Sequence, residues 1–269
     1  MAIPGKEEQQ MCISNSVGKN GNNSPLDVKT VQLLLNLSAP SNPPLAEDGE
    51  VGPSTIAAIE SFQRTVVGVT TPDGVVIPNG ATLAKLRATL PAGFSSAKLK
   101  GTMINATDAN VLKFAPAVLA KMIARDISTP LRQLHFLAQV GHESGELRYT
   151  EEIASGAAYE GRKDLGNTQP GDGERFKGRG LIQLTGRTNY QNYGNAIGVD
   201  LVTNNQWTRV ATDPDLAVDV AAWYWDTHNL NQYADADDIE TITRKINGGL
   251  NGLDDRKRIA ARARFFLQR

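Results

Sequence analysis

Between residues 144 and 186 the helical spacing of apolar residues fails, and the chain runs through a stretch rich in glycine and polar side chains. A loop of that length inside a compact domain is either functional or disordered. On both sides of it the periodicity is helical. The spacing predicts helices at about 108–126 and 130–143 before it, and at about 187–197, 213–229, 237–246 and 254–268 after it. Leu131, Leu134, Ala138 and Gly141 mark a buried stripe on the second of these, and Asp213-Pro214 opens the fourth, with Leu216, Val220 and Trp223 on one face. Pro116 lacks a backbone N–H and is expected to kink or break the first. The fold class that follows is mainly α, with one long irregular loop.

The chain also divides by composition. Only Phe62 and Phe94 fall in the first 100 residues, whereas Trp207, Trp223, Trp225 and all six Tyr lie beyond position 145. At about 100–200 residues per domain, 269 residues accommodate two domains. The first reads as three short helices. Asp27 is placed to cap a helix in which Val28, Val31, Leu34 and Leu35 share a face. Pro53 suits the first turn of a second, carrying Ile56, Ile59 and Phe62. Asn79-Gly80 precedes a third, carrying Leu83, Leu86 and Leu90. The expected organisation is a small domain at 14–90, a linker at 91–106, and a larger domain at 107–269.

Charge and cysteine usage exclude several classes. Residues 1–100 carry 8 basic and 8 acidic side chains and the rest carry 20 and 21, for a net charge of -1. Neither part grips nucleic acid or an anionic membrane by bulk charge. Cys12 is alone, so an intramolecular disulfide and a Cys-rich zinc site are excluded, and its place in an expected disordered tail makes it a poor nucleophile. His135, His142 and His228 form no HExxH motif, and no metal or cofactor is expected. No run approaches the roughly 18–20 apolar residues of a membrane span. The start, MAIPGKEEQQMC, lacks a secretory signal, so the expected site of synthesis is the cytoplasm, with release by other means.

The first domain resembles a known module. Asp27-Val28, Val31-Gln32 and Leu34-Leu35 are followed by Asp48-Gly49, Gly52-Pro53 and Thr55, then Ala58-Ile59 and Phe62-Gln63. This pattern is similar to the peptidoglycan-binding module of cell-wall hydrolases. The resemblance implies a three-helix domain that docks on the wall polymer.

The polar loop suits a polysaccharide cleft. Cleaving a glycosidic bond with inversion takes a protonated carboxyl on the leaving oxygen and an ionised one on an attacking water, roughly 6.5–9.5 Å apart. Candidates are Glu143, Glu146, Glu151, Glu152, Glu160, Asp164, Asp172 and Glu174. Glu143 ends the apolar helix FLAQVGHESG, among neighbours that disfavour charge. Chemistry alone does not separate it from the others.

Four blocks do. Phe136–Gly145, Phe176–Thr185, Ala222-Trp223-Tyr224-Trp225 and Ile246–Gly252 resemble, in order, the catalytic helix, the GRG-x-IQLT/S block, the W-aromatic-W helix and the INGG-L turn of family 19 glycoside hydrolases, the chitinase and phage-lysozyme-like group. The resemblance spans about 110–269 and implies a lysozyme-like helical domain. It places Glu143 as general acid and, nine positions on, Glu152 as general base. Ile153 replaces the common Asn and Glu151 is a second carboxylate beside it, so Glu151 stays open as the base. Thr185 corresponds to the hydroxyl that helps hold the attacking water. Gln183, Asn189 and Asn247 correspond to cleft residues that bond the sugar, and Arg256 to an arginine that pairs with cleft carboxylates. His142 and Tyr159 complete the candidate substrate-binding set, His142 as a helix-packing or supporting group and Tyr159, like Tyr190, by sugar stacking.

The two resemblances together imply a modular phage endolysin. It would be a monomer that acts on peptidoglycan glycan strands of the periplasmic wall after release, without nucleic acid or membrane insertion. A chitinase and a wall-binding protein with an inactive hydrolase domain are the alternatives. Muramidase and glucosaminidase specificity are both open.

Overall fold

The structure is a computed structural model and describes residues 12–268. The reading of the first residues as lacking a secretory signal falls largely outside that range. The chain forms two compact units. Residues up to Ile104 and from Ala261 onward make one, and Asn105–Ala260 make the other. The chain is 57% helical with few strands, as the periodicity predicts.

The first unit holds α1 (Pro25–Ser38), α2 (Pro53–Phe62), α3 (Ala81–Ala88) and α4 (Ser96–Thr102). Val17–Gly18 (β1) pairs antiparallel with Val75–Val76 (β2). Its core is aliphatic: Val28, Val31, Leu34, Leu35, Ile59, Leu83, Leu86 and Leu90 surround Phe62, all nearly inaccessible. Each such side chain contributes about 1.5–3 kcal/mol by leaving water.

Asp27 is not the cap of α1. Ser24 occupies that position, and Asp27, one turn in and 4% exposed, accepts from the N–H groups of Ser14 and Asn15 at 3.0 and 2.8 Å. It ties down the incoming chain, which a cap at the helix end would not reach.

The Asp-Gly turn has a twin. Gln32 Nε2 donates to Asp48 Oδ1 (2.9 Å) and to the Glu50 carbonyl (3.0 Å), while Gly49 N–H donates back to Gln32 Oε1 (3.0 Å). Gln63 does the same to Asp73 (2.6 Å), Val75 (3.0 Å) and Gly74 (3.0 Å). Gly49 and Gly74 both take positive φ, 82° and 70°, which glycine adopts without strain. Two glutamine clasps, one from α1 and one just past the end of α2, thus fix the two long connections of the unit.

Residues 91–106, expected as a linker, are not one. Ser95 caps α4 by accepting from Lys98 N–H, and Lys98 through Thr102 are buried. Gly101 packs so closely on the Phe266 ring that a Cβ there would collide with it. Cys12 is not in a free tail either. It is 5% exposed, its carbonyl accepts from Arg262 (3.1 Å), and burial pushes its thiol up to about 12.

The second unit carries α5 (Asp108–Ala124), α6 (Pro130–Glu143), α7 (Asp172–Arg175), α8 (Arg187–Ile197), α9 (Arg209–Thr212), α10 (Pro214–Thr227), α11 (Asn231–Asp235) and α12 (Ile239–Asn247). The last helix, α13 (Leu253–Leu267), begins here. Thr107, Thr129, Asp213 and Asp238 accept from backbone N–H groups in the first turns of α5, α6, α10 and α12. The α5 helix passes through Pro116 without a break. Pro116 lies on the exposed face, as does Leu112, whose carbonyl loses its partner there and can turn to water.

The aperiodic stretch is pinned onto this scaffold. Asn167, fully buried, donates to the Tyr159 carbonyl (2.9 Å) and accepts from Arg187 N–H (2.8 Å). Asp172 accepts two bonds from the Arg187 guanidinium (2.8 and 2.5 Å), so the loop is stapled to the start of α8. Glu160 accepts from the N–H groups of Gly171 and Gly173, both at 2.8 Å, at the head of α7.

Candidate active site

Glu143 is the last residue of α6. Its setting is not purely apolar: the carboxylate is one-fifth exposed and accepts from Arg256 Nη2 at 2.5 Å. Arg256 itself is 1% exposed, so it meets the site through Glu143 rather than through direct access to the cleft. Its other terminal nitrogen donates to Gln139 Oε1. Gln139 and Glu143 are four residues apart and share a helix face, which is why one guanidinium reaches both.

The neighbouring His142 is held by Asp255. Its Nδ1 lies 2.8 Å from Asp255 Oδ2, and its ring packs against Gly252, where a Cβ would collide with it. Gly252, at φ 72°, is the residue before α13 and takes a conformation in which a side chain is strained. One end of α13 therefore presents Asp255 to His142 and Arg256 to Glu143. Burial, with the Glu143 charge second, raises the Tyr224 hydroxyl, which keeps its proton and donates to the Lys245 carbonyl (2.9 Å).

Glu152 is held by a different segment. Extended backbone joins Glu151 and Leu184 to Arg179 from two sides. Glu152 N–H donates to the Gly178 carbonyl (2.9 Å) and Gly180 N–H to the Thr150 carbonyl (2.8 Å). This ladder brings residues 150–152 beside the block 178–184. The Glu152 carboxylate accepts from the Tyr159 hydroxyl (3.1 Å) and from Gly178 N–H (3.1 Å). Burial and then the Glu152 charge raise the Tyr159 hydroxyl, so it stays a donor. Glu151 faces three cationic nitrogens instead: Arg179 Nε (3.0 Å) and Nη2 (2.9 Å), and Lys177 Nζ (3.3 Å).

Gln183 joins the Glu152 cluster through a glycine. A Cβ on Gly178 would lie 2.9 Å from Gln183 Oε1 and 3.3 Å from Glu152 Oε2, so the two side chains converge over that bare backbone. Gln183 takes φ 58°, a strained conformation for a non-glycine residue, and its amide donates to the Gly180 carbonyl (2.9 Å). Thr185 donates to the Gln183 carbonyl (2.9 Å), and Asn189 donates to the Thr185 carbonyl (2.7 Å). Glu152, Tyr159, Gln183, Thr185 and Asn189 thus form one connected group.

Glu143, His142 and Arg256 form a second group. Asn247 stands apart, donating to the Asn251 carbonyl (2.9 Å) in the turn before α13. Tyr190, weighed as a stacking platform, is fully buried with its hydroxyl on the Lys177 carbonyl, and offers no face to a sugar. Trp225 is buried against Phe136, and Trp223 packs on Tyr193. Sequence reasoning missed Gln139, Asp255 and Gly178. Gln139 carried a signal, the four-residue spacing from Glu143; the other two meet the candidate site only through contacts distant in sequence. Among the described residues no group of three or more His, Cys, Asp or Glu is placed to hold a metal ion.

A match to a known family falls within this unit. Residues 133–247 match the family described as chitinase class I. A glycosyl hydrolase family 19 domain-containing protein of Haemophilus influenzae is 33% identical over 171 residues, which cover 52% of this chain and 82% of that one. An endochitinase of Arabidopsis thaliana is 40% identical over 114 residues, 42% of this chain and 38% of that one. The chain therefore spans well under half the length of that plant relative. Chitinase C from Streptomyces griseus superposes with a TM-score of 0.52 at 24% identity, covering 63% of this chain and 90% of the other. That likeness concerns the fold alone.

Proposed function

The chain belongs to glycoside hydrolase family 19, and from that premise we propose that it cleaves the β-1,4 glycosidic bonds of peptidoglycan by single displacement with inversion. Glu143 is the general acid and Glu152 the general base. The observation that carries the choice of base is the contrast between neighbours. Glu151 is bound to the cations of Arg179 and Lys177. The Glu152 carboxylate accepts from neutral donors, the Tyr159 hydroxyl and Gly178 N–H, while Lys177 Nζ reaches the Glu152 main-chain carbonyl (3.1 Å) instead, and in this reading the carboxylate takes a proton from water. Thr185 fixes that water from the same group, and Gln183, Asn189 and Asn247 offer amides that match an acetamido sugar. On the acid side, Arg256 and Gln139 hold the Glu143 carboxyl in one orientation.

Peptidoglycan, rather than chitin, is favoured by the resemblance of the first unit to a wall-binding module. In this reading that unit raises the local concentration of the catalytic unit on the polymer. The protein works as a monomer and needs no cofactor. It acts as an endolysin, made in the cytoplasm and reaching the wall after release. A chitin-directed reading is favoured by the similarity to plant endochitinases and by the family match, described as chitinase class I.

Mass spectrometry of digested peptidoglycan and of chitin oligomers tests the proposal. New reducing N-acetylmuramic acid ends mean a muramidase, and new reducing N-acetylglucosamine ends a glucosaminidase. Activity on chitin oligomers alone overturns the substrate. Wild-type turnover by Glu143→Gln overturns the mechanism.

A further inference from the structure

The helix that carries Glu143 is followed, after Ser144, by three consecutive left-handed residues: Gly145 (φ 57°), Glu146 (φ 58°) and Leu147 (φ 68°). Glycine takes this conformation freely, but glutamate and leucine take it at a steric cost. Such residues persist only where their surroundings over-determine them. Leu147 is held by burial, 1% exposed, and by its N–H on Ser144 Oγ (2.8 Å). Glu146 is 5% exposed, and its N–H donates to the Gly141 carbonyl (2.6 Å). Its carboxylate accepts from Asn105 N–H (2.7 Å), Asn105 Nδ2 (2.9 Å) and Arg258 Nη2 (2.6 Å). The same Arg258 nitrogen lies 2.9 Å from Asp255, which holds His142.

One turn of α13 thus grips the end of α6 at three places: Asp255 on His142, Arg256 on Glu143, and Arg258 on Glu146. We propose that Glu146 is a positioning residue. Its buried carboxylate, clasped by Arg258 and Asn105, locks the left-handed turn. The turn in turn fixes where Glu143 sits against Arg256 and where the chain departs toward Glu152. A turn that only had to end the helix would take glycine at this position without strain. A carboxylate there gains nothing locally and is explained by the ion pair it makes with α13. The inference rests on Glu143 acting as the acid.

The test compares Glu146→Gly, Glu146→Gln and Glu143→Gln in the full chain, with kcat, KM and melting temperature for each. Glu146→Gly removes the carboxylate while relaxing the backbone, so the chain folds. The expected result is a fall in kcat of about tenfold or more with KM within about twofold of wild type. Glu146→Gln, which keeps an acceptor for Asn105 but loses the ion pair, recovers part of it. Wild-type kcat in Glu146→Gly, or a change in KM alone, overturns the proposal. If Glu146→Gly melts far below wild type, Arg258→Lys carries the same comparison, because it keeps the cation and loses the reach to both carboxylates. An active Glu143→Gln removes the acid reading itself. An inactive Glu143→Gln beside a fully active Glu146→Gly removes only the positioning role.

Discussion

Arg179 holds Glu151 with two of its guanidinium nitrogens, Nε at 3.0 Å and Nη2 at 2.9 Å. That pair sets Glu151 apart from Glu152, the neighbour that the resemblance favours as base. Arg179 is 3% exposed, so the charge that neutralises Glu151 is fixed in place.

Glu152→Gln should therefore lower kcat by about 10²–10⁴, the range for loss of a general base. Glu151→Gln should cost less turnover and more stability, because it leaves Arg179 buried without its partner. Steady-state rates on purified peptidoglycan and thermal melts of both variants check this. Equal loss of rate would mean that Glu151 shares the work.

Gly178→Ala addresses the same cluster without replacing a polar side chain. No positive φ binds Gly178 to glycine, so the backbone tolerates alanine. The added methyl meets Gln183 Oε1 (2.9 Å) and Glu152 Oε2 (3.3 Å), far ends of flexible side chains that can move aside, and Gln183 Cβ (3.3 Å), which must give by a few tenths of an ångström. The expected outcome is folding with a melting temperature near wild type and a kcat lower by about tenfold or more, from displacement of the two groups. Unchanged kcat would place their convergence outside the reaction.

The helices were legible because their apolar spacing and caps are local. The starts and ends of α6, α8 and α10 fall within a few residues of the expected ones. Pro116 misled because the sequence does not say that it faces solvent, where the lost bond is cheap. The linker misled because Gly101 looks ordinary until Phe266, far along the chain, packs on it. In the site, the difference between Glu151 and Glu152 depends on Arg179, which the ladder brings beside Glu151, and on Tyr159, which reaches Glu152 from the loop after it. No spacing rule carries that information.

Acid should unfold the second unit partly through Asp172. Burial by itself would raise this carboxyl, but the Arg187 guanidinium and the Gln169 N–H outweigh it and hold it below the usual carboxylate range. The folded state therefore releases this proton at lower pH than the unfolded chain does. The stabilisation is complete above the unfolded value, about 3.9, and is lost as pH falls through the folded value. Asp172→Asn should cost about 3 kcal/mol near neutral pH, as expected for a broken buried ion pair. Melting curves from pH 7 downward should show the gap between the two proteins closing in acid. A constant gap would assign the loss to packing rather than charge.

The last helix dictates how the chain can be divided. Phe265 and Phe266, 3% and 1% exposed, belong to the core of the first unit, and Arg87 donates to the Phe265 carbonyl (3.1 Å). A fragment of residues 105–269 keeps both rings and removes what buries them. It should aggregate more than the full chain, visible as light scattering on warming. In the full chain, Phe266→Ala should cost about 3–5 kcal/mol, the range for a buried phenylalanine, and open space against Gly101. If the aromatic pair belongs to the first core as described, the added substitutions Phe265→Ser and Phe266→Ser should restore solubility to the 105–269 fragment. A fragment that is soluble and melts like the full chain without them would show that the pair finds burial elsewhere.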